Sequence, residues 1–194
     1  ILIDILKRNY TVKSITSSHI NISKIQWKRV YTTNYDNTYE LACKNINKKI
    51  TSVSASDSPS NLIAKNDLII HINGKIENLS TETLDTSFKL TSGSYASDSF
   101  ESSKWAFHFR SDVRNAAAIF FVGYSLYDLD IARILMAEKI DEKCIFIIAP
   151  SCEETALEEL ELSTYGAIYP IGVDAFSKKI EEISETYQAI EEYT

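Results

Sequence analysis

The stretch AAAIFFVGYSLYDLDIARILMAEKIDEKCIFIIAP, residues 116–150, decides the fold class. AAAIFFVG is a nearly continuous apolar run that ends on glycine, as expected of a strand covered on both sheet faces. YDLDIARILMAEKI follows with helical spacing, and Ile131, Ile134, Leu135 and Met136 are expected to face inward. KCIFIIAP is a second two-sided strand. CEETALEELEL reads as a helix, YGAIYPI as a last short strand, and AFSKKIEEISETYQAIEEY as a long amphipathic helix. Alternating strands and helices imply crossovers and a parallel sheet with helices on both faces, a Rossmann-like α/β fold. In such folds ligands bind beyond the carboxyl ends of the strands.

Working outward, WKRVYTT reads as an earlier strand, NTYELACKNI as a helix beginning near Asn37, and DLIIHING as a short apolar strand ended by a turn. SDSFESSKWAFHFRSDVRNAAA carries a helix with Ser or Asp at its start. VSASDSPSN, around Pro59, reads as a flexible loop. Residues 78–103 are polar and long for a structureless connection, which suits a lid. Phe88, Leu90, Tyr95 and Phe100 within them are expected to pack on something. His108 reads as a helix-packing residue and His19 as a loop residue. The last helix presents Phe176, Ile180, Ile183, Tyr187 and Ile190 on one apolar face, expected to pack internally.

Composition narrows the function classes. The chain has 194 residues, 44% hydrophobic and 24% charged, enough for one domain with a sizeable core. A net charge of −7 argues against direct nucleic-acid binding, which needs surplus Lys and Arg. Lys7, Arg8, Lys13, Lys24, Lys28 and Arg29 are loosely spaced and read as solvated surface. The three cysteines, Cys43, Cys144 and Cys152, have no C-x-x-C spacing, so neither a zinc site nor a disulfide framework is expected. No apolar run approaches a membrane span and no signal peptide is evident, so a cytoplasmic location without membrane contact is expected.

The residues after the strands carry the chemistry. VYTTNYDNTYE, residues 30–40, places Thr32, Thr33, Asn34, Tyr35 and Asp36 in a row where a turn needs only one or two such residues. Asn34 offers an amide that donates and accepts. Asp36 can cap the helix that follows. His71 stands at a strand end, and Gly74 permits a sharp turn. Gly123 ends a buried strand, Ser125 follows, and Asp128 and Asp130 open the next helix. An Asn, a His and a Gly-x-Ser turn at one sheet edge can hold a ribose-containing ligand and do acid–base work. Each has a plain structural reading too: Thr32–Asp36 as turn plus cap, His71 as a core histidine, Gly123 with Asp128 as a connection. No G-x-S-x-G, G-x-x-x-x-G-K or G-x-G-x-x-G occurs.

TTNYD, IIHINGKIEN, FKLTSGSYASDSF and FFVGYSLYDLDIARIL together resemble the bacterial SIR2-like domain, the sirtuin-related module of anti-phage defence proteins, over roughly residues 25–150. The resemblance implies a SIR2-like fold lacking the zinc ribbon of the deacylases. It implies NAD as substrate, with no metal. Asn34 and His71 would be catalytic, Asn34 at the nicotinamide ribose and His71 as general base. Thr33, Asn34, Asp36, Asn73, Gly74, Gly123, Tyr124, Ser125 and Asp128 would hold the dinucleotide. The turn after FIIAP is similar to the segment near the adenosine half. Two features depart from the family pattern. The Gly-Ala-rich phosphate loop that precedes T-x-N-x-D is missing, so residues 1–194 are expected to be a single SIR2-like domain cut from a longer chain. The residue immediately before Gly74 is Asn73, with His71 two residues earlier. The implied activity is NAD⁺ hydrolysis to nicotinamide and an ADP-ribose product in abortive anti-phage defence. The alternative is an NAD- or ADP-ribose-binding sensor or assembly module. A homo-oligomer, or a larger assembly with other domains or a partner ATPase, is implied as the working form.

Overall fold

The structure, a computed structural model, describes residues 1–63, 65, 67–84, 88, 100–125, 128–152 and 155–191. It divides into two compact units, residues 1–108 and 109–194.

In the first unit the order is α1 (Leu2–Tyr10), α2 (Ser17–Lys24), β1 (Val30–Thr32), α3 (Thr38–Asn45), β2 (Thr51–Ser54) and β3 (Leu68–His71). The strands are parallel in the order β1-β3-β2. Val30 pairs with Ile69 and Thr32 with His71 on one side; Ser52 pairs with Ile69 and Ser54 with His71 on the other. The central strand β3 is buried throughout, with Leu68, Ile69 and Ile70 at most 1% exposed. Each such aliphatic residue contributes about 1.5–3 kcal/mol relative to leaving it in water. That burial explains why β3 reads as an uninterrupted apolar run.

The strand β2 and helices α1 and α2 are absent from the sequence expectations. TSVS has one large apolar residue and no hydrophobic run, so β2 exists by virtue of its pairing with β3. Val53 and Ser54 therefore belong to a strand rather than to the flexible loop expected there. The loop beyond is tied down: Asp57 Oδ2 accepts from the Ser54 amide at 2.7 Å, and Trp105 Nε1 donates to the Asp57 carbonyl at 2.9 Å. His19 is not in a loop but in the first turn of α2, where its Nδ1 accepts from the Thr16 amide at 3.1 Å. Of residues 78–103, those at 85–87 and 89–99 lie outside the described residues, and with them most of the expected lid, Leu90 and Tyr95 included. Phe88 and Phe100 are buried, as their isolation in a polar segment suggested.

Helix α4 (Lys104–Asn115) carries His108 against Trp105 and Phe107. The second unit continues with β4 (Ile119–Val122), α5 (Leu129–Glu138), β5 (Cys144–Ile147), α6 (Ala156–Leu162), β6 (Ala167–Tyr169) and α7 (Gly172–Glu191). Its strands are parallel in the order β4-β5-β6, so the strand–helix alternation read from residues 116 onward holds. The α/β class is as expected, with three parallel strands in each unit. Two burial expectations are corrected. Phe120 in β4 is 37% exposed, because β4 lies at the end of that strand order and is not covered like the central β5. Met136 is 66% exposed, while Ile131, Ile134 and Leu135 are buried. Positions i, i+3 and i+4 share a helix face, whereas i+5 has rotated away from it. In α7 Phe176 is buried against Phe120, but Ile183 is exposed. The apolar face is thus covered only at its start; Tyr187 and Ile190 lie outside the described side chains.

Gly166 leads into β6 where the chain passes closest to β5. A Cβ there would lie 2.4 Å from the Cys144 carbonyl oxygen, a backbone atom that cannot give way. Gly166→Ala is expected to destabilise the protein by about 1–3 kcal/mol, measurable as a lower urea midpoint.

Candidate functional site

The row Thr32–Asp36 leaves β1 at its carboxyl end, and four consecutive carbonyls there accept hydrogen bonds from one short stretch after β3. The Thr32 carbonyl accepts from the Ile72 amide at 2.8 Å, and that of Tyr35 from the Ile76 amide at 2.8 Å. Between them, among the described residues, no backbone donor reaches. Asn73 Nδ2 donates to the Thr33 carbonyl at 3.2 Å, and His71 Nδ1 donates to the Asn34 carbonyl at 3.0 Å. Two side chains thus replace the backbone ladder where the strands part. Gly74, at φ 102°, supplies the left-handed turn that brings Ile76 back to Tyr35.

The side chains of the row divide their work. Thr32 Oγ1 accepts from the Asn34 amide at 3.1 Å. Tyr35 stacks on Phe88 at 5.8 Å, meets Tyr10 edge-on at 5.6 Å, and joins Ile3, Leu6 and Leu84 in packing on the core of Ile76, Leu79 and Phe88. Asp36 Oδ1 accepts from the Thr38 amide at 2.9 Å and so caps α3 from one residue before its N-cap, Asn37. Asn34 alone between residues 30 and 40 is exposed. Backbone held at both its amide and its carbonyl, it presents its side-chain amide to solvent.

His71 is 0% exposed. Its Nε2 lies 2.8 Å from Glu40 Oε1, which also accepts from Ser52 Oγ. Ser52 and His71 reach one carboxylate because paired positions on parallel strands keep Ser52, Ile69 and His71 on the same face. Burial alone would push the Glu40 carboxyl up, but the hydrogen bonds from His71 and Ser52 and the charge of the imidazolium hold it below the usual glutamate range. The ring thus has a carbonyl at one nitrogen and a carboxylate at the other. His71, expected as a base at a ribose, is buried with both ring nitrogens engaged inside the protein. Glu40 was missed in the sequence. The available signal was its place in the first turn of a helix, and such a glutamate reads simply as a favourable helix start.

In the second unit Gly123, Tyr124 and Ser125 line a pocket of about 180 Å³ together with Ile148, Ala149, Thr155 and Glu158. It sits beyond the carboxyl ends of β4 and β5, where a parallel sheet places its ligands. Gly123 is at φ 62°, and a Cβ there would meet nothing within 4 Å, so backbone conformation and not crowding calls for glycine. Asp128, expected to touch the ligand, accepts from the Asp130 amide at 3.2 Å as the N-cap of α5, and it is buried. Among the described residues no three His, Cys, Asp or Glu side chains converge as metal ligands, and no helix is long and apolar enough to cross a membrane.

The Glu40 carboxyl is held below its unfolded value, so its stabilisation is present above about pH 4.5 and fades as the pH falls below that. Glu40→Gln is expected to lower stability by about 1.5–3 kcal/mol at neutral pH. In urea unfolding from pH 7 to pH 4, the gap from the parent chain should narrow below about 4.5; a gap independent of pH would refute a role for the charge.

Comparison with known proteins places these elements in a family. No curated protein matches the chain. A family model described as the SIR2-like domain matches residues 28–169, from just before β1 to the end of β6. The chain belongs to the SIR2-like domain family, whose members in general use NAD.

Proposed function

We propose that this domain hydrolyses NAD⁺ to nicotinamide and ADP-ribose, with Asn34 as the residue that faces the nicotinamide ribose. The observation that carries the reading is the exposure of Asn34: it alone between residues 30 and 40 is exposed, on a backbone held at its amide and its carbonyl. The chemistry makes modest demands. The nicotinamide–ribose bond breaks with its electron pair passing to the ring nitrogen, so the leaving group departs neutral and needs no acid. Water adds to the anomeric carbon and releases one proton. An amide that donates and accepts can orient a ribose hydroxyl or that water. A closed-in His71 is compatible with this route, since water meets an already electron-poor carbon and needs little help from a base. The family's place in anti-phage systems supports a defence role in the cytoplasm, within an assembly that restrains the activity.

A second reading is favoured by one observation, the occupied ring of His71 with Asn73 next to Gly74. On it the domain binds NAD or ADP-ribose without cleaving it and acts as a sensor or assembly module. Incubating the full-length protein with NAD⁺, with and without a phage trigger, separates the two. Nicotinamide release is expected, and Asn34→Ala should reduce it by about 100-fold or more. Full turnover by Asn34→Ala would overturn the site. NAD⁺ binding by calorimetry without nicotinamide release under any trigger would leave the second reading standing.

A further inference from the structure

We propose that Glu40 is a positioning residue for the chemistry at Asn34, acting through the His71 ring; this rests on the reading of Asn34 as the ribose-facing residue. The path is short and rigid. Glu40 Oε1 meets His71 Nε2 at 2.8 Å, and His71 Nδ1 meets the Asn34 carbonyl at 3.0 Å. A planar imidazole joins the two contacts, so a rotation that breaks one breaks the other. Ser52 Oγ donates to the same Glu40 oxygen and keeps the carboxylate turned toward the ring. Glu40 lies in the first turn of α3, whose start is tied to the same loop by Asp36. The helix start, the ring and the loop are therefore one connected set around Asn34.

The consequence is specific to orientation. Thr32 Oγ1 fixes the Asn34 amide, and His71 fixes its carbonyl. Releasing the ring frees the peptide plane after Asn34 and lets the side-chain amide swing, while the surfaces that would bind the rest of the dinucleotide stay as they were. Misplacing a reacting group by about 1 Å costs up to about 100-fold in rate. Loss of Glu40 should thus appear in turnover more than in binding.

The test uses the full-length protein. Glu40→Gln is expected to lower kcat for nicotinamide release by about 10–100-fold, with KM changed less than about threefold. The double variant Glu40→Gln/His71→Asn should be no slower than His71→Asn alone, because Glu40 acts only through the ring. Unchanged kcat in Glu40→Gln, or additive losses in the double variant, would overturn the proposal. Nitrogen-15 spectra provide a readout independent of turnover. In the parent chain the His71 Nδ1 proton, held by the Asn34 carbonyl, should be protected from exchange, and Glu40→Gln should displace the Nε2 signal. An unprotected Nδ1 proton in the parent chain would overturn the proposal even if Glu40→Gln did not fold. If the parent chain releases no nicotinamide, the hydrolase reading falls. Positioning of Asn34 through the ring is then decided by the Asn34 side-chain amide signals, which move in Glu40→Gln if it holds and stay put if it does not.

Discussion

The arrangement at the first sheet rests on one constraint: four carbonyls in a row, Thr32 to Tyr35, must find donors where two parallel strands part company. Two come from the backbone of Ile72 and Ile76, and two from the side chains of Asn73 and His71. Those side chains are as much a part of the fold as the strands, because each holds a carbonyl that the backbone ladder leaves over. This accounts for the joint occurrence of TTNYD and HINGKI in the sequence. They are two halves of one hydrogen-bonded clasp, and neither half has its partners without the other.

The clasp also separates residues that hold from the residue that reaches out. His71 spends both nitrogens inward, Asn73 turns its amide to Thr33, Tyr35 joins the aromatic cluster with Tyr10 and Phe88, and Asp36 serves the helix. What remains is the Asn34 side chain on a backbone tethered from both ends. Precision at a polar ligand comes from such tethering, since the entropy of orienting the group is lost on folding and not on binding. The histidine, the residue in a sequence that most invites an acid–base role, here acts as a strut between a carboxylate and a peptide plane.

Legibility of the sequence followed the range of the interactions. The strands β3, β4 and β5 and the helix α5 were readable because their apolar runs and helical spacing are local properties. The strand β2 was not, since TSVS owes its conformation to β3 fourteen or more positions away. Met136 misled because apolar character was taken as sufficient for burial, when its helical phase set it on the exposed side. Within the site, the exposure of Asn34 and the capping by Asp36 followed from residue type and place. Glu40 did not, because its importance lies in what stands opposite it across the sheet, and no spacing along the chain encodes that.

The strand order β1-β3-β2 sets a sequence of events for folding. The strand made last, β3, is the one that enters between the two made earlier. Until it does, β1 and β2 have no neighbour in the sheet, the loop after β1 has no donors for its carbonyls, and Glu40 has no imidazole to receive. The nascent chain therefore cannot assemble this edge piecemeal. Contacts between residues more than thirty positions apart close together, which slows the step and makes it cooperative. A partly folded first unit would expose Asn34 on a slack loop, so competence at this edge should arrive all at once, with the insertion of a single four-residue strand.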